Sequence, residues 1–310
     1  SVILVILELI WGWNQFMKNE TFSGFHPIVN LAFFASVLGM TMFIMHPVYL
    51  ILSLFCACSY LLYLKGSRGM IRQVGYLLPI LLTMAIINPL FNHEGVTILL
   101  YLHNDNPVTL EAILYGLASA VMMGASIVWF NCCNEVFTSD KIIYLFGRII
   151  PAMSLLISMT LRFVPRFKSF LQNVLRVQQS FHKPENVKEQ LQQALAAFSV
   201  TVSWAMEQSI ISADSMKSRG YGTAGRTAYS IYRFEKRDGI ALVVLAVLCL
   251  GAILPWVTGV TAWEYYPGLD GELAGLPQCI AYLCFGGVCL MPLMIDLREE
   301  QKWNSLRSKI

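Results

Sequence analysis

Apolar residues form long, uninterrupted runs along the chain instead of the short alternating patterns of a water-soluble protein. A helix that crosses a bilayer needs about 20 mostly apolar residues. Runs of this kind lie at roughly residues 28 to 45, 47 to 64, 74 to 91, 111 to 134, 239 to 258 and 276 to 295. The first two are separated by little more than His46 and are therefore expected to form a tight helical hairpin. The pattern predicts an all-α, polytopic membrane protein with about six transmembrane helices.

The stretch from Arg162 to Arg237 is too polar to span a membrane and too regular to be a linker. Apolar residues recur there every three or four positions, which predicts a pair of amphipathic helices. The residues expected to pack these helices are Phe167, Phe170 and Val174 in the first and Leu195, Phe198, Val202 and Met206 in the second. Pro165 is expected in the first turn of the first helix. The second helix is expected to begin at residues 186 to 188, its apolar stripe continues to Ala213, and Gly220 is expected to end it as a left-handed cap.

These patterns divide the chain into three parts. Residues 1–148 hold the N-terminal transmembrane helices, residues 149–237 hold a short apolar segment and the two amphipathic helices, and residues 238–310 hold the C-terminal transmembrane helices and a polar tail. The short apolar segment, Ile149 to Leu161, is expected to pack within the membrane or at its surface. Residues 1–13 include Glu8 and lack both a charged n-region and a small-residue cleavage site. They predict an interfacial helix, or the remainder of a longer N-terminus, instead of a signal peptide.

Charge then gives the arrangement an orientation. Only 13% of the residues are charged while 56% are hydrophobic, so lipid must cover most of the surface. With six spans, all 22 lysine and arginine residues fall on one side, and the opposite loops at residues 92–110 and 259–275 contain none. Cytoplasmic loops accumulate positive charge. Both termini and the amphipathic helices are therefore expected on the cytoplasmic side. The chain is expected in the plasma membrane.

Candidate reaction chemistry is sparse. The eight cysteines lie within or beside apolar runs and lack the spacing of a zinc site, so neither a disulfide nor a metal is expected. No glycine cluster continues into the Lys-Ser/Thr pair of a phosphate-binding loop, so no cofactor or nucleotide site is expected. The external histidines His46, His93 and His103 carry no paired catalytic motif. The sequence predicts a chain without catalytic activity and without a nucleic-acid partner.

Three short segments together resemble the transmembrane T component of energy-coupling factor (ECF) transporters, the family that includes CbiQ-like cobalt transporter subunits. They are Phe25-His26-Pro27-Ile28-Val29-Asn30-Leu31, Leu161-Arg162-Phe163-Val164-Pro165 and Ala213-Asp214-Ser215-Met216-Lys217-Ser218-Arg219-Gly220-Tyr221. The third is similar to the family's Ala-Met-x-Ala-Arg-Gly-Tyr element. The resemblance covers residues 22 to 258 and implies an ATP-driven importer of vitamins or metal ions.

The resemblance also implies partners and docking residues. Two cytoplasmic coupling helices would each end in a short Arg-centred motif that docks on one of two ABC-type ATPase subunits, while the membrane helices hold a substrate-binding S component. For the second coupling helix the implied docking residues are Lys217, Ser218, Arg219 and Gly220. The first departs from the family pattern, because Gln179-Ser180-Phe181 stands where Ala-Arg-Gly is expected. Either Arg176 substitutes from one turn earlier or this contact is less ionic.

Other interpretations stay open at this point. Lys217 and Arg219 would also complement the dipole at the C-terminal end of any helix. The whole basic region would also suit an amphipathic pair lying on anionic lipid. A secondary transporter or channel is a further alternative, although no internal repeat and no charged residue near the middle of a span supports it. An intramembrane enzyme is the remaining alternative.

Overall fold

The computed structural model of the chain describes residues 22–92, 95–101, 107–149, 151–181, 184, 186–221, 223, 232–271 and 275–307. These residues form helices and one small antiparallel sheet of two strands. In chain order the elements are α1 (Pro27–Phe43), α2 (Pro47–Phe91), β1 (Ile98–Tyr101), β2 (Pro107–Thr109), α3 (Leu110–Val136), α4 (Ser139–Ile149), α5 (Pro151–Phe181), α6 (Val187–Ser218), α7 (Lys236–Val257) and α8 (Leu276–Arg307). The helix predicted at residues 1–13 lies outside the described residues.

The chain divides into two compact units. The first comprises Ser1–Thr138 and Tyr232–Ile310 and contains α1 to α3, α7 and α8; it is called the membrane unit below. The second comprises Ser139–Ile231 and contains α4, α5 and α6; it is called the helical module. The module begins at Ser139 and not at the predicted boundary near residue 149, because the short helix α4 packs with α5.

Five of the described helices are long and apolar enough to cross a membrane, namely α2, α3, α6, α7 and α8. The prediction of an all-α polytopic membrane protein is confirmed. The first predicted span is the shorter helix α1, whose 17 residues reach about 25 Å. Helix α6 is not one of the predicted spans, and its most apolar window has the lowest mean hydropathy of the five, 1.2.

Helix α2 contains two predicted spans and reverses direction at Gly66. This glycine has a φ of +70° and breaks the helical geometry. Contacts along α3 show the reversal: Trp129 meets Ser53, Cys132 meets Ala57 and Glu135 meets Lys65, whereas Gly116 meets Asn88 and Gly124 meets Leu81. The first half of α2 is therefore parallel to α3 and the second half antiparallel. Residues 47–64 and 74–91 are two separate passes, joined by a turn that favours glycine.

The core of the membrane unit is centred on Trp129 in α3, which is completely buried. Its indole Nε1 donates to Ser53 Oγ at 3.0 Å, and Ser53 Oγ lies 2.8 Å from Thr41 Oγ1. The rings of Phe33 and Phe34 meet the indole edge-on, with centroids 5.9 and 6.4 Å away. These contacts join α1, α2 and α3 through one side chain. Lipid is as apolar as these side chains, so the hydrophobic effect does not hold helices together inside a membrane. Close packing and interhelical hydrogen bonds, such as that from Trp129 to Ser53, hold them together instead.

The helical module differs from its prediction in the position of Pro165. Helix α5 begins at Pro151 and continues through Pro165 to Phe181, so the apolar segment Ile149 to Leu161 and the first amphipathic helix are largely one element. The prediction that Pro165 lies in a first helical turn is wrong. A proline inside a helix removes one backbone hydrogen bond and bends the helix without having to end it. Helix α6 ends at Ser218, two residues before the predicted cap at Gly220.

Lys141 in α4 is a buried cation of the module. Its side chain is 3% exposed, and burial lowers the pKa of this lysine from 10.5 to about 8. The unfolded chain holds this proton more tightly than the folded one. Burying the ammonium group therefore opposes folding below pH 8. The penalty is relieved between pH 8 and 10.5, where the folded lysine has lost its proton and the unfolded lysine has not.

Replacing Lys141 by methionine is expected to stabilise the module by about 1–3 kcal/mol at pH 7 and to remove the rise of its stability between pH 8 and 10.5. Thermal unfolding of the purified chain at a series of pH values measures both effects. Lys188→Met is the matched control, because Lys188 is exposed. A Lys141→Met variant that is less stable than the original chain at pH 7 would contradict the expectation.

Candidate functional site: the two ends of the helical module

Helices α5 and α6 meet at Trp204. The indole stacks on the ring of Phe170 with centroids 4.1 Å apart and an angle of 7° between the planes. The ring of Phe167 meets the same indole edge-on at 5.8 Å. On the neighbouring turns of α6, Ala197 and Thr201 are buried. This contact holds the two helices against each other at one level.

The connection between the helices then limits where their ends lie. Five residues separate Phe181 from Val187, so these two ends are at most about 20 Å apart. At a rise of 1.5 Å per residue, Phe181 lies about 16 Å beyond Phe170, while Val187 lies about 25 Å before Trp204 and Ser218 about 21 Å after it. The helices must therefore run roughly antiparallel. The C-terminal ends of α5 and α6 lie on opposite sides of the crossing, about 30 Å or more apart.

The C-terminal end of α6 is closed by its own backbone. Gly220 has a φ of +74°, and its N–H donates to the carbonyl of Lys217 at 3.0 Å. The N–H of Tyr221 donates to the carbonyl of Met216 at 3.1 Å. This pair of bonds is the Schellman arrangement, in which a glycine in the left-handed region ends the helix. The prediction of a left-handed cap at Gly220 is confirmed.

The cap presents three exposed side chains, those of Lys217, Ser218 and Arg219. The Ser218 hydroxyl donates to the carbonyl of Ser215 at 2.9 Å and is therefore engaged within the helix. The two cationic groups stand at the negative end of the helix dipole, which favours their charge. A guanidinium group offers five directed donors that match a carboxylate or a row of carbonyls. This end is suited to bind a negatively charged or carbonyl-rich groove.

The C-terminal end of α5 has a different chemistry. Arg176, Gln179 and Ser180 are exposed, and the Ser180 hydroxyl donates to the carbonyl of Arg176 at 2.9 Å. The last residue, Phe181, is 88% exposed. The nearest guanidinium thus lies one helical turn behind an exposed aromatic ring. The two ends of the module offer unequal surfaces, one cationic and one led by an aromatic side chain.

The predicted packing residues behave differently on the two helices. Phe167, Phe170 and Val174 of α5 are half-buried. Those of α6 remain open, with exposed fractions of 59% for Leu195, 60% for Phe198, 41% for Val202 and 67% for Met206. The prediction therefore needs correcting for α6, which packs through Trp204 and its small neighbours instead. Helical periodicity identifies an apolar stripe, but it does not say whether another part of the same chain covers that stripe.

The stripe on α6 forms one wall of an open groove of about 610 Å³ along the module. Phe163, Phe167 and Leu171 of α5 form the other wall. Apart from Lys168, Thr201 and Ser209, the lining is apolar. Trp204, which joins the two helices, is not one of the predicted packing residues, because it lies on the face of α6 opposite the apolar stripe, about 200° around the helix from Val202. Its only signal in the sequence is a large ring among small neighbours, Ser203 and Ala205.

Comparison with the models of known protein families and with characterised protein sequences finds no match for this chain.

Proposed function

We propose that this chain is the transmembrane coupling subunit of an ECF-type ABC importer. It would hold a membrane-embedded S component and pass to it the movement of two ATPase subunits, which hydrolyse ATP and dock on the helical module. The chain itself would be non-catalytic, and the cargo would be a vitamin or a metal ion. The observation that carries the proposal is the exposed Arg219 at the glycine-capped end of α6, within a segment similar to the family's docking element.

The geometry of this end supports docking. An arginine at the end of a helix closed by two backbone hydrogen bonds is held on a fixed backbone, so a partner orders little more than the side chain when it binds. Charge-assisted bonds from a guanidinium group to a carboxylate are among the stronger hydrogen bonds in proteins. Lys217 adds a second positive charge two residues earlier.

The separation of the two ends supports two docking sites. Ends about 30 Å or more apart are separated by roughly the diameter of a small domain. Two globular ATPase subunits would therefore fit side by side, one on each end. The end of α5 would dock through Arg176 or through the exposed Phe181, with Gln179 and Ser180 at the contact.

The path of the chain supports a position of the module outside the bilayer. The first half of α2 is antiparallel to α1, with Thr41 beside Ser53 after the tight connection, and it is parallel to α3. The chain therefore leaves the membrane unit, at the end of α3, on the side where α1 begins. It returns at Asp238, which binds the N–H of His26 directly before α1. Both connections thus lie towards the same end of α1. The module must cross the membrane an even number of times, so α6 cannot be a single crossing on its own.

Helix α5 is an unfavourable partner for such a crossing. It carries Arg162, Arg166, Lys168 and Arg176, and a charged side chain near the centre of a bilayer is costly. The composition of α5 therefore favours a helical module that does not cross the membrane at all. The one-sided distribution of lysine and arginine supports a cytoplasmic position for the module and for both termini, and with it a multi-pass arrangement in the cell membrane.

The apolar stripe on α6 supports an apolar neighbour along the module. Leu191, Phe198, Met206 and Ile210 are each at least 60% exposed, which is unusual for a helix that faces only water. An S component at the membrane surface, or the surface of the lipid itself, would cover this stripe.

Purification of the chain with its native partners tests the proposal. The chain is tagged at its own locus, extracted in mild detergent and analysed for bound subunits and ATP hydrolysis. We expect two ATP-hydrolysing subunits and a small membrane protein in fixed proportion to the chain. If the chain instead purifies alone and moves a solute across vesicles without ATP, the proposal is wrong and the secondary-transporter alternative replaces it.

A further inference from the structure

A short segment before α1 is anchored at two points within the membrane unit. Phe22 and Phe25 are 1% and 6% exposed. The backbone N–H of Phe22 donates to Asp296 Oδ1 at 2.8 Å, and the N–H of His26 donates to Asp238 Oδ1 at 3.2 Å. Both carboxylates are themselves buried. The segment is thus held by α7 and α8, more than 200 residues away in the chain.

Asp238 links two elements through one carboxylate. Its Oδ1 accepts the His26 N–H at the start of α1, and its Oδ2 accepts the N–H of Glu235 at 2.9 Å, which fixes the first turn of α7. A buried carboxylate bound by two backbone donors is a strong and directional connection. Its loss would leave a buried N–H without its acceptor.

Ring contacts reinforce this connection. The guanidinium carbon of Arg237 lies 5.2 Å from the centre of the Phe25 ring. The rings of His26 and Phe234 meet edge-on at 5.4 Å. His26 also accepts the N–H of Ile28 through Nδ1 and so caps α1. Residues 22–26 and 234–238 therefore form one assembly, called the clamp below.

The clamp lies where the chain returns from the helical module. The module ends at Ile231, only a few residues before Phe234. The chain enters the module after Thr138, and the preceding residue, Phe137, contacts Phe34 in α1. Both covalent connections of the module thus end on residues that contact α1 or the segment before it. Within the membrane unit, α1 contacts Trp129 through Phe33 and Phe34.

We infer that Asp238 is a positioning residue for energy coupling, which keeps the clamp closed so that displacement of the module moves α1. This inference rests on the proposed function, because it assigns a route to the movement that the ATPase subunits supply. The role differs from docking, since Asp238 is buried and is not among the exposed residues at either end of the module. It also differs from general stability, because it predicts ATP hydrolysis that continues without uptake.

Asp238→Asn tests the inference in the full complex. Asparagine keeps the size of the side chain, but it removes the charge and turns one of the two acceptors into a donor that faces a backbone N–H, that of His26 or that of Glu235. We expect hydrogen exchange at the amides of residues 22–28 to become about tenfold faster or more. We expect the ATPase subunits to stay bound and to hydrolyse ATP, while uptake per ATP falls about tenfold or more. Asp270→Asn is the control, because Asp270 is an exposed aspartate.

The outcomes separate the inference from the proposed function. Unchanged exchange in Asp238→Asn, or faster exchange with unchanged uptake per ATP, overturns the role of Asp238 and leaves the proposed function intact. Absence of ATPase subunits from the original complex overturns both. If Asp238→Asn does not fold, Arg237→Gln is measured in the same way, because it leaves Asp238 in place and removes the cation over Phe25 together with its ion pair to Glu235. It is then expected to lower uptake per ATP by about two- to fivefold, and unchanged coupling overturns the inference.

Discussion

Arg219→Glu is expected to release the ATPase subunit that we propose docks at the end of α6, and to abolish uptake. The substitution replaces a donor of several charge-assisted hydrogen bonds with a carboxylate that repels an acidic groove. Loss of a buried charge partner at an interface costs about 2–5 kcal/mol, which corresponds to at least about a 30-fold loss of affinity. Titration of the purified chain with the ATPase subunit, followed by an uptake assay in vesicles, measures both effects.

Lys217→Glu is the comparison for this prediction, and a smaller loss of affinity is expected because an ammonium group lacks the directed donors of a guanidinium group. Lys217 is exposed at the same helix end and undergoes the same change of charge. If the effect came only from the helix dipole, both variants would lose a similar and small free energy of about 0.3–1 kcal/mol. A much larger loss for Arg219→Glu alone indicates docking through the guanidinium group. Full ATPase association and full uptake in Arg219→Glu would contradict the docking role.

Arg176→Glu extends the same logic to the other end. A loss of affinity comparable to that of Arg219→Glu would show that Arg176 serves the end of α5 from one turn back. A small effect, together with a large effect of Phe181→Ala, would show a docking contact that depends on the exposed ring.

Trp129→Ala is expected to give the largest loss of stability in the membrane unit, about 3–5 kcal/mol. The side chain is completely buried, and it joins α1, α2 and α3 through the rings of Phe33 and Phe34 and through the bond to Ser53. Removing it leaves a cavity whose lining loses its contacts. Thermal unfolding of the purified chain in detergent, at matched detergent and lipid content, measures the loss.

Trp129→Phe separates packing from hydrogen bonding. Phenylalanine keeps one aromatic ring but cannot donate to Ser53, so a smaller loss of about 1–2 kcal/mol is expected. Ser53 would keep its contact with Thr41. A Trp129→Ala variant whose stability stays within about 1 kcal/mol of the original chain would show that the three helices do not depend on this side chain.

Much of the membrane unit could be predicted from hydropathy. The separate passes at residues 47–64 and 74–91 are found in the structure, because the charged stretch between them favours a turn and Gly66 supplies the conformation for it. The effect of Pro165 could not be predicted in the same way. Whether a proline starts a helix or bends one depends on the conformation of the residues before it. Here the residues from Pro151 onwards are already helical, and the helix continues through Pro165.

Only those parts of the candidate site that depend on neighbouring residues in the sequence could be predicted. The cap at Gly220 follows from local chemistry, since a glycine after a basic last turn is a strong end signal. The clamp is not local: Asp238 binds a residue 212 positions away and Asp296 one 274 positions away. In the sequence each acid lies where an apolar run meets a charged stretch, Asp238 directly after Arg237 and Asp296 shortly before Arg298. Nothing in a single chain's spacing indicates which backbone N–H each of them will bind.

The stacking of Trp204 on Phe170 has a practical consequence for observing the protein at work. Of the seven tryptophans in the chain, Trp204 is the only one between Ser139 and Ile231. Its indole lies at the point where α5 and α6 meet, so its surroundings change whenever these helices separate or slide. With phenylalanine at the other six positions, its fluorescence would report the state of that crossing alone. The chain thus contains a native optical reporter of the movement assigned to the helical module.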